Sequence, residues 1–256
     1  MSENVLLDVE DGVATVTINR PDSLNSMNIP TLDALADALA EAADADARAL
    51  VVTGAGEKAF VAGADISYMA DLSASEANEY AEKGHAVASA IEEFPAPAIA
   101  AVNGYAFGGG MELAMACDIR VASERAMLGQ TEIDLGIIPG WGGTQRLPRL
   151  VGDETARRMI YFGDRLDATD ALEEGLVGEV VAHDELDDHV AEMAEELAAQ
   201  PQFALAAAKE ALNASHEMDL GAGLDFERRT WAGLFGTHDQ REGMEAFLED
   251  RDPSFE

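Results

Sequence analysis

Cysteine and lysine are what this sequence of 256 residues most conspicuously lacks. Cys117 stands alone, which excludes an intrachain disulfide and a multi-cysteine metal site. Its neighbours are apolar, as for a buried and inert thiol. Lysine occurs only at Lys58, Lys83 and Lys209; the other bases are arginines. No run of about eighteen apolar residues is present, so no membrane-spanning helix is expected. No apolar N-terminal run follows basic residues, so no secretion signal is expected and the cytoplasm is the expected compartment. The five histidines form no HExxH pattern, and no metal site is expected. His183 and His189 flank an acidic stretch and are expected to be solvated. There is no GxxxxGK(S/T) phosphate loop and no GxSxG elbow for a serine nucleophile. PGWGGTQ imitates GxGxxG but lacks its third glycine and follows no strand.

Acid is what the chain has in excess. It carries 50 acids against 16 bases, a net charge of −34 and a pI of about 4.1. The acids are spread through helix-like segments such as LDALADALAEAADADA and DELDDHVAEMAEELAAQ. Such a surface repels nucleic acid and anionic membrane, so neither is an expected partner. Self-repulsion strains the chain in dilute buffer. At about 1 M salt the screening length falls to about 3 Å and that repulsion largely disappears, so the expectation is a salt-adapted protein. With 48% hydrophobic residues the chain can still bury a substantial core.

NVLLDVEDGVATVTIN alternates about Asp11–Gly12 and predicts a β-hairpin. Pro30 and Thr31 open an amphipathic helix running to about Asp46. ALVVTG is a buried strand, GEKAFVAGADI a loop, and a second helix runs from about Ser75 to Glu93. AIAAVNG, CDIRVAS, AMLGQ and LVGEVV predict short strands, with Asn103–Gly104 a turn. LGIIPGWGG precedes helices at about 143–151 and 153–162, and everything from Asp184 onward is helical in pattern. Strands alternating with helices predict an α/β core over residues 1–195. The strandless part, 196–256, is expected to be a lid or a subunit interface.

Within that order the stretch NGYAFGGGMELAMACD poses a question. Gly108, Gly109 and Gly110 run into an apolar helix that carries one acid, Glu112, in its first turn. One answer is chemical: helix-start N–H groups aimed at a developing oxyanion, with an acid beside them. The other is tight packing at a turn, with Glu112 escaping to solvent. Two further loops, VAGADI at 61–66 and GQTEIDLGIIPGWGGTQRL at 129–147, bring Asp65, Glu132 and Asp134 toward the same sheet edge. Glu132 alone reads as a first-turn helix acid capped by Thr131. Asp65 is expected to shape its turn. Trp141 is expected either to wall a pocket or to pack under its loop.

The blocks INRPDSLNSMN, KAFVAGADI, IAAVNGYAFGGGMELAMACD, GQTEIDLGIIPGWGGTQRLPRLVG and REGMEAFLEDR occur in one order along nearly the whole chain. Together they resemble the enoyl-CoA hydratase (crotonase) family. The resemblance implies an α/β fold, a crotonase-like spiral of ββα units with a helical C-terminal oligomerisation region. It implies an oxyanion hole from the backbone N–H groups of Ala64 and Gly109, where glycine would leave room for a thioester. It implies Glu112 as the group that activates water and Glu132 as the proton donor, in reversible hydration of a 2-enoyl-CoA. Family members that only shift double bonds commonly keep one acid, so both acids favour hydratase over isomerase. The remaining readings are a dehydratase working in reverse and a non-catalytic RNA-binding or scaffold member.

The resemblance implies CoA as part of the substrate, with no separate cofactor. It would be held by backbone near Ser26 and Ile66 and by Lys58. The sequence departs from the family at Asp22, Ser67 and Asp250, where many relatives have bases, although Arg251 is kept. Members form trimers, often paired into hexamers, through their C-terminal helices. Leu212, Leu224, Phe226, Trp231, Leu234 and Phe235 are the interface candidates here.

Overall fold

The structure, a computed structural model, describes residues 3–255. It opens with β1 (Val5–Glu10) and β2 (Val13–Ile18), followed by α1 (Ile29–Asp44), β3 (Ala49–Gly54), β4 (Ala59–Val61), α2 (Ile66–Met69) and α3 (Ala74–Glu92). The middle of the chain supplies β5 (Ala98–Val102), β6 (Tyr105–Phe107), α4 (Gly109–Ala116), β7 (Ile119–Ser123), β8 (Met127–Gly129), α5 (Gly143–Val151) and α6 (Asp153–Phe162). Then come β9 (Arg165–Asp167), α7 (Ala168–Glu173), β10 (Glu179–Val181), α8 (Leu186–Ala198), α9 (Gln202–Ala214), α10 (Leu220–Gly233) and α11 (His238–Glu249).

The hairpin forms where the sequence predicts it. Asp11 and Gly12 both have positive φ, 48° and 82°, the backbone that matches a two-residue turn to strand twist. In β2 the residues Ala14, Val16 and Ile18 are buried and their neighbours are not, the two-residue period of a sheet facing its core on one side. Asn28 caps α1 by accepting from the Thr31 N–H at 3.1 Å. Leu32, Leu35, Leu39 and Ala42 then bury one stripe of it. Ser73 and Glu76 close a capping box at the start of α3.

The strands form two sheets. One has the order β1-β2-β3-β5-β7-β10 and is parallel apart from the β1–β2 hairpin; the other has the order β4-β6-β8-β9. Each of β4, β6 and β9 is three residues long, too short to show a period, and the segment expected to be loop therefore contains β4 and ends at the first residue of α2. Helix α8 crosses the expected division at residue 195 and ends at Ala198, packing Leu186, Val190 and Ala194 onto Val51, Ile99 and Val121. No helix of the described residues is long and apolar enough to cross a membrane.

Two expectations need correction here. His183 is not solvated: its ring joins the Ser123 hydroxyl at 2.9 Å to Glu57 at 2.8 Å, pinning the chain before α8 to β7. Asn103–Gly104 is more than a turn. Asn103 donates to the carbonyls of Gly54 and Gly56, both at 2.8 Å, and a side chain on Gly104 would collide with the Lys58 carbonyl.

The C-terminal helices are tied to the core by a buried cation. Lys209 on α9 reaches Asp118 at 2.8 Å and the Ala96 carbonyl at 3.0 Å. Asp118 in turn accepts from the Ala98 N–H at 2.7 Å. Lys209→Met would leave the buried Ile91 and Ala96 carbonyls without their donor and Asp118 without its counter-charge, and is expected to cost about 1–3 kcal/mol. Urea denaturation measures this, and adding Asp118→Asn should recover part of the loss. An unchanged midpoint would show that α9 is held by other contacts.

Candidate active site

The three glycine-bearing loops do converge. The first runs beside Ser26 and Met27: Met27 N–H donates to the Gly63 carbonyl at 2.9 Å, and Asp65 N–H to the Met27 carbonyl at 2.7 Å. Met27 and Ala64 thereby form a parallel bridge. Asp65 shapes its turn, as expected. It caps α2 at the Tyr68 N–H and pairs with Arg20 at 3.1 Å, while Arg20 also grips the Ser26 carbonyl.

Gly63 brings this loop against the second. A Cβ on Gly63 would lie 3.0 Å from the Phe107 carbonyl oxygen and 4.0 Å from the Gly109 nitrogen. Among the described residues, neither the Ala64 N–H nor the Gly109 N–H donates to a backbone carbonyl. For Gly109 the reason is its place at the start of α4, where the helix has no carbonyl to offer.

Each glycine of the triplet has its own physical cause. Gly108 has φ 48° and ψ −122°, a conformation that disfavours side chains, and a Cβ there would sit 2.9 Å from a Glu132 oxygen. A Cβ on Gly110 would lie 1.9 Å from the Val61 carbonyl oxygen, so α4 crosses β4 backbone against backbone. Gly109 corrects an expectation. The room left by its missing side chain is filled by the Trp141 ring, 2.3 Å from where a Cβ would be. Trp141 is thus packed under its loop, wedged between Gly109 and Gly84 with its ring edge-on to Tyr80.

Glu112 does not escape to solvent; all of α4 is buried. One carboxylate oxygen of Glu112 accepts from the N–H groups of Trp141 and Gly143, both at 2.7 Å. Burial pushes its pKa up, while those N–H groups and the Arg146 charge oppose the rise. Glu132 stands in the first turn of a short 3-10 helix, as expected, but the Thr131 side chain makes no cap there. With the Gln130 amide oriented to satisfy both groups, its nitrogen donates to the two Glu132 oxygens at 2.9 and 3.0 Å. Burial first, and the Glu112 charge second, push Glu132 up to about 7. Two buried acids are therefore coupled, both raised by burial, one braced by the backbone donors of the 140–143 segment and the other by Gln130.

A sequence model of the enoyl-CoA hydratase/isomerase family matches residues 8–256. The chain belongs to that family. A crotonyl-CoA hydratase of Syntrophomonas wolfei is 44% identical over 99% of this chain and 98% of its own. A short-chain-enoyl-CoA hydratase of Clostridium acetobutylicum is 44% identical over 97% of this chain and 95% of its own. Among solved structures, an enoyl-CoA hydratase from Bacillus anthracis superposes with a TM-score of 0.95 at 40% identity, covering 98% of each chain. The crotonase fold is confirmed by that match.

Within this hydratase/isomerase fold the residues expected to hold CoA are partly gathered. Ser26 lies beside Ala64 and Ile66 through the Met27–Ala64 bridge, and Ile66 is exposed. Lys58 is exposed on the next loop. That loop is held by Asn25, which donates to the carbonyls of Ala55 and Ala59 at 3.0 and 2.8 Å. Sequence reasoning missed Gln130, whose only signal was its place two residues before Glu132. It also missed the N–H groups of Trp141 and Gly143, which carry no side-chain signature at all.

Proposed function

We propose that this protein catalyses the reversible addition of water to a 2-enoyl-CoA thioester, giving 3-hydroxyacyl-CoA. The observation that carries the reading is the coupled pair of buried acids in unlike surroundings, together with the Ala64 and Gly109 N–H groups, which donate to no backbone carbonyl among the described residues. The thioester oxygen would accept from Ala64 and Gly109 and gain negative charge as water attacks Cβ. Such a donor contributes about 2.7–4 kcal/mol to the transition state. Glu112, ionised, takes a proton from the attacking water, and hydroxyl bonds to Cβ. Glu132, protonated, gives its proton to Cα as the enolate collapses. Glu112 ends protonated by the water and Glu132 ionised, so the pair's total is unchanged, and a proton exchanged with solvent resets the two for the next turnover. Both acids are needed for this chemistry, whereas double-bond migration alone needs fewer, and an intact pair also argues against a non-catalytic scaffold.

Short acyl chains are the proposed substrates. The support is the similarity to relatives named for crotonyl-CoA and short-chain substrates, together with the Tyr68–Tyr80–Trp141 aromatic row filling the space behind Gly109. Initial rates over a series of 2-enoyl-CoA chain lengths test both points. Four carbons should be fastest; migration of a 3-enoyl double bond without hydration would replace the hydratase reading by isomerase.

The proposed assembly is a cytoplasmic homotrimer or hexamer adapted to salt. Its support is the apolar surface of the C-terminal helices, where Leu212, Leu224, Trp231 and Phe235 are exposed in the single chain and Phe226 and Leu234 are half-buried. Bringing together chains of net charge −34 concentrates repulsion that only salt screens. Polyanionic CoA approaches against the same field. Desalting should therefore dissociate the oligomer and raise KM, with molar KCl, or far less divalent cation, restoring both. Light scattering and steady-state rates across a salt series decide it; an intact oligomer with an unchanged KM at low salt would refute the electrostatic account.

A further inference from the structure

We propose that Arg146 is a positioning residue for hydration, clamping the Gly140–Gly143 segment in the conformation that aims its N–H groups at Glu112. The inference rests on the reading of Glu112 as the group that activates water. The segment cannot fix itself. Gly140, Gly142 and Gly143 give it wide backbone freedom, Gly142 has φ 112°, and nothing stands within 4 Å of where a Cβ on Gly140 would lie. Yet the N–H groups of Trp141 and Gly143 both meet one Glu112 oxygen at 2.7 Å.

Arg146, in the first turns of α5, supplies the missing constraint. One guanidinium nitrogen donates to the Trp141 carbonyl at 3.0 Å, and the other to Glu92, the last residue of α3, at 2.5 Å. The Trp141 carbonyl belongs to the peptide unit between the two that donate to Glu112, so pinning it orients both neighbours. The guanidinium also occupies the place of the side chain that Gly142 lacks, 2.1 Å from a Cβ built there. That contact gives a reason for glycine at 142 independent of its φ. Glu92 anchors the clamp to α3, the same helix whose Gly84 receives the Trp141 ring, so the segment is fixed from one helix at two points.

The same arginine acts on charge. The groups around Glu112 are Arg146, which favours its ionisation, and Glu132, whose own pKa the Glu112 charge raises; Glu92 stands behind Arg146 and Tyr80 beside Trp141. Removing Arg146 should both loosen the N–H donors and remove the only cation acting on Glu112 among the described residues. A role in packing alone would lower stability without moving the pH dependence of turnover.

The test is the pH profile of kcat for crotonyl-CoA hydration in wild type, Arg146→Met, Arg146→Lys and Glu92→Gln. Arg146→Met is expected to lower kcat by roughly 10–100-fold, the scale of a misplaced catalytic group, with KM changed less than about threefold. Its acidic limb should move to higher pH, because Glu112 then ionises less readily. Arg146→Lys should restore the limb, since the charge remains, but not the full rate, since one ammonium cannot reproduce the two-pronged clamp. If Arg146→Met does not assemble like wild type, Glu92→Gln carries the test: it must lower kcat at unchanged KM. A folded Arg146→Met with the wild-type rate and acidic limb overturns the proposal, as does a Glu92→Gln with unchanged kcat. Absence of hydration in the wild type would instead overturn the hydratase reading.

Discussion

Glu132→Gln should lower hydration by roughly 10²–10⁴-fold, the range for loss of a general acid, and at pH 8 should raise the melting temperature. Both effects come from one cause. Burial and the neighbouring Glu112 charge raise the Glu132 pKa from an ordinary 4.5 to about 7 in the folded protein. The folded state therefore binds this proton more tightly than the unfolded chain does. The resulting stabilisation is fully present below pH 4.5 and is lost as pH rises through about 7. At pH 8 the folded protein holds a buried charge it resists. A rise of that size corresponds to about 3 kcal/mol, an upper figure because the group is not fully sealed from water.

Glutamine has no charge to bury, so the variant is relieved of that cost while losing the proton it should deliver. The Gln130 contact limits the gain, because an amide accepts from Gln130 less strongly than a carboxylate does. Glu112→Gln should be as inactive. It should also lower the pKa of Glu132 in a carboxyl NMR titration, because the Glu112 charge is one of the two causes of the rise. Thermal melts at pH 5 and pH 8 alongside crotonyl-CoA rates make the test. Turnover within tenfold of wild type would remove Glu132 from the chemistry, and a lower melting temperature at pH 8 would show that its carboxyl is not held high.

The second large effect lies in the glycine triplet, where neighbouring substitutions should fail differently. Gly110→Ala sets a methyl 1.9 Å from a backbone oxygen of Val61. A backbone cannot swing aside as a side chain can, so α4 and β4 must separate. The cost is expected at or above the upper end of the about 1–3 kcal/mol typical of overpacking. Gly109→Ala meets a side chain instead, the Trp141 ring at 2.3 Å. The ring can shift, but it takes with it the Trp141 N–H that holds Glu112 at 2.7 Å. Gly109→Ala should therefore fold with a modest loss of stability and lose activity by roughly 100-fold, the scale of a misplaced catalytic group. Adding Trp141→Phe, which removes the part of the ring in the way, should recover stability. Circular dichroism melts and initial rates on the three variants check this. Gly110→Ala melting like wild type would show that the α4–β4 crossing has slack, and an active Gly109→Ala would separate Trp141 from the site.

Local chemistry made much of this protein legible in its sequence. The Asp11–Gly12 turn, the courses of α1 and α3, the buried run of β3 and the paired helices α5 and α6 depend on neighbours a few residues apart. Their signals are therefore written in the residues themselves. The glycine triplet and Glu112 raised the oxyanion reading by themselves, but the proposed roles of Ala64, Gly109, Glu112 and Glu132 came from long blocks that resemble a known family. Taken singly, Glu132 read as a first-turn helix acid capped by Thr131, and Glu112 stayed open between an acid beside an oxyanion hole and one escaping to solvent. Tertiary structure alone decided the rest. Strands of three residues acquire a direction only from the strands beside them. Gly109 reads as space for a ligand until Trp141, thirty-two residues later, is seen to fill it. Arg146, Gln130 and the N–H groups of the Gly140–Gly143 segment act through contacts between distant segments. Backbone donors in particular look the same at every residue, so only the fold can say which two of them face a carboxylate.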